Sequence, residues 1–197
     1  MARTKNEELH KTRKKQILAA AKKCFIAKGI HNASMAHICK TGKISPGALY
    51  RYFPSKQAII EAIAAQEHEQ NLELIDFLRP LKNPVRGLKN ALPDVLDTLL
   101  DKDFARLMIE ISSEATRNPE VNSAFQTVEE QFKTDLSAIF QTAQERGTLV
   151  KTANIEGAIF CLLALFDGIT ARAASAATPS KKELTNALCK TIDALFA

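Results

Sequence analysis

The sequence predicts an all-α protein of about nine helices. Apolar residues recur at the 3.6-residue helical period through most of the chain, no segment shows the strict apolar/polar alternation of a half-buried strand, and Gly, Pro, Asn and Ser punctuate the periodic segments. With 197 residues and 46% hydrophobic content, the chain can bury a core without covalent staples.

Residues 1–10 are polar and lack periodicity, which suggests a mobile basic arm that merges into the first helix. Over 11–28 the apolar positions Ile17, Leu18, Ala21, Cys24 and Phe25 share one helical face, and Gly29 stands where a helix would end. Ser34 is a good N-cap for a short helix over 35–41. Gly42-Lys43-Ile44 then makes a tight turn, and Ser45-Pro46 opens another short helix to about Phe53, with Pro at a position that needs no N–H. Pro54-Ser55 ends it, and Ser55 caps a long helix over 56–78, closed by Pro80. Helices are further expected over 84–101, 102–117, 120–146, 155–176 and 181–196, broken at Lys82-Asn83, Asn118-Pro119, Gly147 and Thr178-Pro179. The expected organisation is the arm, a small head over 11–55 and a larger body over 56–197, with 56–78 as the linking helix.

The net charge of +5 conceals an asymmetry. Residues 1–56 hold 13 Lys and Arg against Glu7 and Glu8, a balance of +11, while the remainder holds 14 basic and 20 acidic residues, a balance of −6. A basic quarter joined to an acidic remainder suits a head that binds a polyanion, although a charge run can also be a solvated face. The opening residues lack the apolar core of a secretion signal, so a cytoplasmic location is expected. The densest apolar run, 158–166, is about half of the roughly 18 residues of a membrane span, which predicts a soluble chain. Cys24, Cys39, Cys161 and Cys189 are widely separated, with no C-x-x-C pair, and are expected as reduced thiols packed as small apolar groups.

Helix, tight turn and a second helix opening Ser-Pro-Gly-Ala is the helix-turn-helix layout, in which the second helix enters the major groove. Small residues at Ser45, Pro46, Gly47 and Ala48 permit close approach to DNA, while Leu49 and Phe53, four apart, can anchor the helix. Tyr50, Arg51 and Tyr52 supply two phenols and a guanidinium within one turn, suited to phosphates and, for Arg51, to a bidentate bond with guanine. Ser34 and Lys56 begin other helices, where hydroxyl, ammonium and free backbone N–H groups can hold phosphates. The tyrosines could instead be core, and Ser34 and Ser55 caps alone.

The stretch from Arg13 to Ile63 resembles the amino-terminal domain of the TetR family of bacterial regulators. The resemblance rests on Ile17-Leu18, Ala21 and Phe25, Gly29, Ser34, Ile38, Ile44-Ser45, Gly47, Leu49-Tyr50, Tyr52-Phe53 and Ser55-Lys56, and covers about a quarter of the chain. It implies a dimer of nine-helix subunits in which helices one to three form the DNA head, the last two helices dimerise and the middle ones enclose a ligand pocket. It further implies base or groove contact by Pro46, Gly47, Ala48 and Arg51, and phosphate contact by Ser34, Ser45, Tyr50, Tyr52 and Lys56. Two positions depart from the pattern. The turn reads Gly42, Lys43, Ile44 where the family has a small residue, then Gly, then an aliphatic, so Lys43 is expected to adopt a left-handed conformation at a cost of roughly 1–2 kcal/mol, offset by a phosphate contact. Cys39 stands where the family often has Ala.

In the body, 155–176 is apolar nearly all round between Ala158 and Phe166, and needs cover on two sides. Ile159, Leu162, Leu163 and Phe166, with Leu184, Leu188, Ile192 and Leu195 of the last helix, are the expected interface of a homodimer; burial within a monomer is the alternative. Phe104, Leu107, Met108 and Ile111 share one helical face, and Phe125, Val128, Phe132, Leu136 and Phe140 another. Such stripes are often plain core, but the resemblance places the pocket on these helices, and Met and Phe suit a small, largely apolar effector. Ser112 and Glu114 border the stripe and could orient a ligand, a cationic one for Glu114. His10, His31, His37 and His68 show no metal-ligand spacing, and neither a nucleophile elbow nor a Gly-rich phosphate loop is present, so no catalysis, metal or cofactor is expected. The expected function is a transcriptional regulator, most simply a repressor that leaves its palindromic operator when it binds an effector. An activator would carry the same head, and an architectural protein would bind DNA with little sequence preference.

Overall fold

The computed structural model describes residues 2–150 and 152–197. Among them the chain forms nine α-helices and no strand: α1 Ala2–Lys28, α2 Met35–Gly42, α3 Pro46–Tyr52, α4 Lys56–Leu78, α5 Pro84–Leu99, α6 Lys102–Ala115, α7 Pro119–Glu145, α8 Ile155–Ser175 and α9 Lys181–Leu195. The all-α reading holds, and the ends differ from the expected ones by a few residues except at the amino terminus. There, α1 begins at Ala2 rather than at residue 11. No Gly or Pro interrupts the chain before Gly29, so nothing stops a helix nucleated on the apolar face from propagating back through the polar segment. Of the expected basic arm over residues 1–10, the side chains of residues 1–7 lie outside the described ones.

Helix ends follow from local chemistry. Asn83, Asn154 and Ser180 cap α5, α8 and α9, each side chain accepting from the backbone N–H three residues on. At α9 the cap is reciprocal, since Glu183 accepts from both the N–H and the hydroxyl of Ser180. Those hydrogen bonds to the carboxylate lower the Glu183 pKa, first through the hydroxyl and then through the N–H.

The chain divides into two compact units. One runs through residue 66 and takes in 109–125; the other comprises 67–108 and 126–197. The helices α4, α6 and α7 therefore each contribute residues to both. The first unit is built on α1, whose Ile17, Ala21 and Phe25 are buried with Ile38 of α2, Leu49 of α3 and Ile59 and Ile63 of α4. The core of the second unit joins Leu88, Leu92 and Leu96 of α5 to Leu136 and Phe140 of α7, Ile159 and Leu162 of α8 and Leu188 and Ile192 of α9. Phe140 stacks on Phe196 with ring centroids 4.3 Å apart.

Two composition-based expectations need correction. α8, 21 residues long, is apolar enough by length and composition to cross a membrane, although the densest apolar run within it is short. Ile155, Ala158, Ile159 and Leu162 of this helix turn into the core, but only 28% of its apolar window is buried, so core packing accounts for only part of the composition. Cys24 and Cys39 are buried as expected, but Cys161 is exposed because it lies on the opposite face of α8.

The turn between α2 and α3 explains the displaced glycine. A Cβ on Gly42 would lie 2.6 Å from Ile44 Cδ1 and 2.8 Å from the Ala20 Cβ of α1, so glycine is required here for close approach. Lys43 is left to make the left-handed step, with φ 51° and ψ 45°, and its N–H closes the end of α2 on Cys39 and Lys40 carbonyls. Replacing Lys43→Gly is expected to raise unfolding free energy by about 0.5–1 kcal/mol, because relief of the left-handed cost exceeds the added chain entropy. Urea denaturation checks this.

Candidate nucleic-acid interface

In α2 the Ser34 hydroxyl oxygen accepts from the His37 N–H at 3.2 Å, and His37 Nδ1 accepts from the Ser34 N–H at 3.3 Å. Sequence reasoning missed the role of His37. Its signal was a capping-box spacing, with histidine in the place Glu or Gln usually fills. The Ser45 hydroxyl likewise accepts from the Ala48 N–H at 3.3 Å. A hydroxyl used as an acceptor keeps its hydrogen, so both serines cap a helix and still offer a donor to an anion.

α3 is held from one side only. Leu49 and Phe53 are buried, and Lys14 Nζ lies 5.7 Å over the Phe53 ring. On the other side Pro46, Gly47, Tyr50 and Arg51 are exposed, as are Lys43 and Ser45 of the turn. Tyr50 is 52% exposed, and nothing lies within 4 Å of where a Gly47 side chain would begin. The fold therefore has no steric need for glycine at position 47, which leaves room there for close approach by another molecule. Ala48 is half-buried, and Tyr52 is half-buried against the His10 ring, with centroids 4.7 Å apart.

Lys56 occupies a different position from the others. Its ammonium donates to the carbonyls of Ile30, His31 and Ala33 at 2.8, 3.2 and 3.1 Å, which uses all three of its N–H groups within the α1–α2 connection. No ammonium donor remains for a phosphate. The first unit also holds the end of α6: Glu114, 4% exposed, pairs with Arg117 at 2.9 Å and faces His31 Nδ1 at 3.8 Å. Glu114 is thus a structural carboxylate and not the lining of a ligand pocket, as the sequence suggested.

The second unit contains a cavity of about 610 Å³ lined by α4, α5, Phe104, Phe132 and Phe166. Of the residues expected at a pocket, only Phe104 and Phe132 line it. Leu107 and Ile111 are buried, Met108, Phe125 and Val128 are half-buried away from it, and Ser112 is exposed. The missed lining comes from α4 and α5, including Phe77, Asn90 and Asp94; the polar character of Asn90 and Asp94 hid those two in a search for apolar stripes. The residues expected at a dimer interface divide by burial. Ile159, Leu162, Leu188 and Ile192 are buried in their own subunit, with Leu163, Phe166, Leu184 and Leu195 packed partly against the same core. The exposed arc of α8 carries Phe160, 70% exposed, which helical periodicity turns away from Leu162, and at its other edge Leu165, 39% exposed. On this helix Asp167 has a raised pKa, through desolvation first and the charge of Glu129 second.

A capped helix-turn-helix on a strongly basic segment, with an outward face of tyrosine, guanidinium and small residues, defines a DNA-binding regulator. Residues 17–63 match the family model for bacterial regulatory proteins of the tetR family, and residues 84–197 match that for the carboxy-terminal region of BetI-type transcriptional repressors. The chain is 32% identical over 160 residues to the HTH-type transcriptional regulator UidR of Escherichia coli, covering 79% of each. It is 25% identical to the probable HTH-type transcriptional regulator ArpR of Pseudomonas putida, over 87% of this chain and 84% of that one. The solved structure of Salmonella enterica GusR superposes with a TM-score of 0.79 at 31% identity, covering 94% of this chain and 95% of that one. FadR of Bacillus subtilis, solved with stearoyl-CoA, shares the fold at a TM-score of 0.77 and 16% identity, over 92% and 98% of the two chains. The chain belongs to the TetR family of helix-turn-helix transcriptional regulators.

Truncating the outward face tests the reading of α3. Arg51→Ala and Tyr50→Ala should each weaken binding to a selected duplex by about tenfold or more, with little change in thermal stability, as measured by fluorescence anisotropy. Leu49→Ala, by contrast, should lose stability itself, by about 2–5 kcal/mol.

Proposed function

We propose that the protein is a repressor that binds a palindromic operator as a homodimer in the cytoplasm and is released by a small, largely apolar effector. It acts by binding rather than by catalysis. Pro46, Gly47, Ala48 and Arg51 meet the groove, while Ser34, Lys43, Ser45, Tyr50 and Tyr52 meet phosphates. Lys56 supports this surface from behind through the three carbonyls of the α1–α2 connection.

The observation that carries the reading is that two single helices each bear both kinds of contact. On α4, Lys56 holds a head loop while Glu67 and Phe77 line the cavity. On α6, Glu114 faces His31 of the head while Phe104 lines the cavity. A ligand that prefers one placement of α4 and α6 alters the conformation of the head by its differential affinity for the two states. The carboxy-terminal match to a model of repressors supports the sign of control, and FadR shows that a protein of this fold can hold a ligand.

The homodimer reading rests on α8. An exposed face carrying Phe160 and Leu165 would remain in water in a lone subunit, at roughly 25 cal/mol for each Å² of apolar surface. Two copies joined there would present two heads, and successive major grooves require them about 34–36 Å apart. Phe160→Glu should convert the dimer to monomers in sedimentation velocity and lower affinity for a two-half-site operator by about 100-fold or more, while α-helix content is retained.

The deciding experiment is selection of bound duplexes from a random pool at about 150 mM salt. A palindromic consensus, bound roughly 10³-fold or more over random DNA, is expected. Unselective binding would replace this reading with that of an architectural protein.

A further inference from the structure

We propose that His10 is a positioning residue for DNA binding: from the amino-terminal part of α1, its ring holds the Tyr52 phenol in the direction in which its hydroxyl meets a phosphate. The inference rests on the phosphate contact of Tyr52 proposed above and assigns the residue that prepares it.

The length of α1 is the first observation. The helix begins at Ala2, well ahead of Ile17, the first of its described residues that is buried. Glu8, Leu9 and His10 are all exposed, so burial of apolar surface does not account for this part of the helix. What it reaches is the end of α3. The rings of His10 and Tyr52 lie with centroids 4.7 Å apart and planes 42° from parallel. One turn further along α1, Lys14 Nζ stands 5.7 Å over the Phe53 ring. Residues four apart share a helical face, so a single face of α1 meets two consecutive residues where α3 ends.

The unequal treatment of the two tyrosines is the second, independent observation. Tyr50 is 52% exposed and has no ring contact or hydrogen bond among the described residues. Tyr52 is half-buried against His10, yet its hydroxyl has no hydrogen-bond partner among the described residues either. A phenol whose ring is held and whose hydroxyl is unpaired is a donor fixed in direction and free to bond. Tyr52 is the last residue of α3, followed by the extended Phe53. Without the His10 ring, its side chain would be ordered only on meeting DNA, and that ordering lowers affinity. The contact is made by ring faces, so a phenyl ring in place of the imidazole should serve equally.

The chain has two tyrosines and no tryptophan, so in a Tyr50→Phe background Tyr52 is the sole tyrosine fluorophore. Time-resolved fluorescence anisotropy of that full-length protein without DNA reads the mobility of its ring. Adding His10→Ala should raise the amplitude of the subnanosecond decay about twofold or more, and His10→Phe should leave it unchanged. With Tyr50 native, affinity is measured for a labelled random-sequence duplex of about 30 base pairs at about 50 mM salt, where phosphate contacts dominate. His10→Ala and Tyr52→Phe should each weaken binding by about threefold to tenfold, while His10→Phe stays within about twofold of the native protein. The double variant His10→Ala, Tyr52→Phe should bind no more weakly than Tyr52→Phe alone, because His10 acts through that hydroxyl. A circular-dichroism melt verifies the fold of each variant. Native ring mobility in His10→Ala, no rescue by His10→Phe, or a further loss in the double variant overturns the proposal, the last by making His10 a direct contact. Native affinity in Tyr52→Phe would overturn the phosphate contact of Tyr52 and the inference with it. Weakened binding in Tyr52→Phe beside native affinity in His10→Ala would overturn the inference alone.

Discussion

A seven-residue helix has no stability of its own in water, because the cost of nucleating it exceeds what so few hydrogen bonds return. Everything that α3 does therefore depends on its being pinned from one side. Leu49 and Phe53 supply the anchor, Ser45 closes the first turn and Gly42 lets the end of α2 approach α1 closely enough to position the whole segment. Because the anchoring uses one face only, the opposite face is fixed in direction without being occupied, which is the condition for pre-organised contact with DNA. Lys56 extends the same constraint backwards, binding three carbonyls of the preceding connection from the first turn of the linking helix.

The helices α4 and α6 give the protein its second level of organisation. Each has residues in both compact units, and each carries a polar contact in the head and an aromatic side chain at the cavity.

Departures from the family pattern have local physical causes. The glycine of the turn is used at position 42 for packing against Ala20 and Ile44, so a lysine takes the left-handed step that follows. The long α1 reflects the lack of any interrupting residue, even though its first ten residues have no apolar face to bury.

How much could be read before the fold was known depended on whether the relevant signal was local. Helix periods, capping serines and the Ser-Pro-Gly-Ala opening of α3 are set by neighbours within four residues, so the nine helices and the outward and inward positions of the recognition segment were legible in the chain. Glu114, the cavity and the exposed face of α8 were not. Amphipathic stripes report which residues are apolar, but they do not say whether a given stripe meets the core of its own subunit or a neighbour, and Ile159 and Phe160 are indistinguishable on that basis. The sequence by itself determined the class of fold, the short capped helix α3 of the helix-turn-helix and the left-handed turn before it. Only the tertiary structure decided which carboxylates are paired and which line an aromatic cavity, because pairing and enclosure bring together groups on helices far apart in the chain.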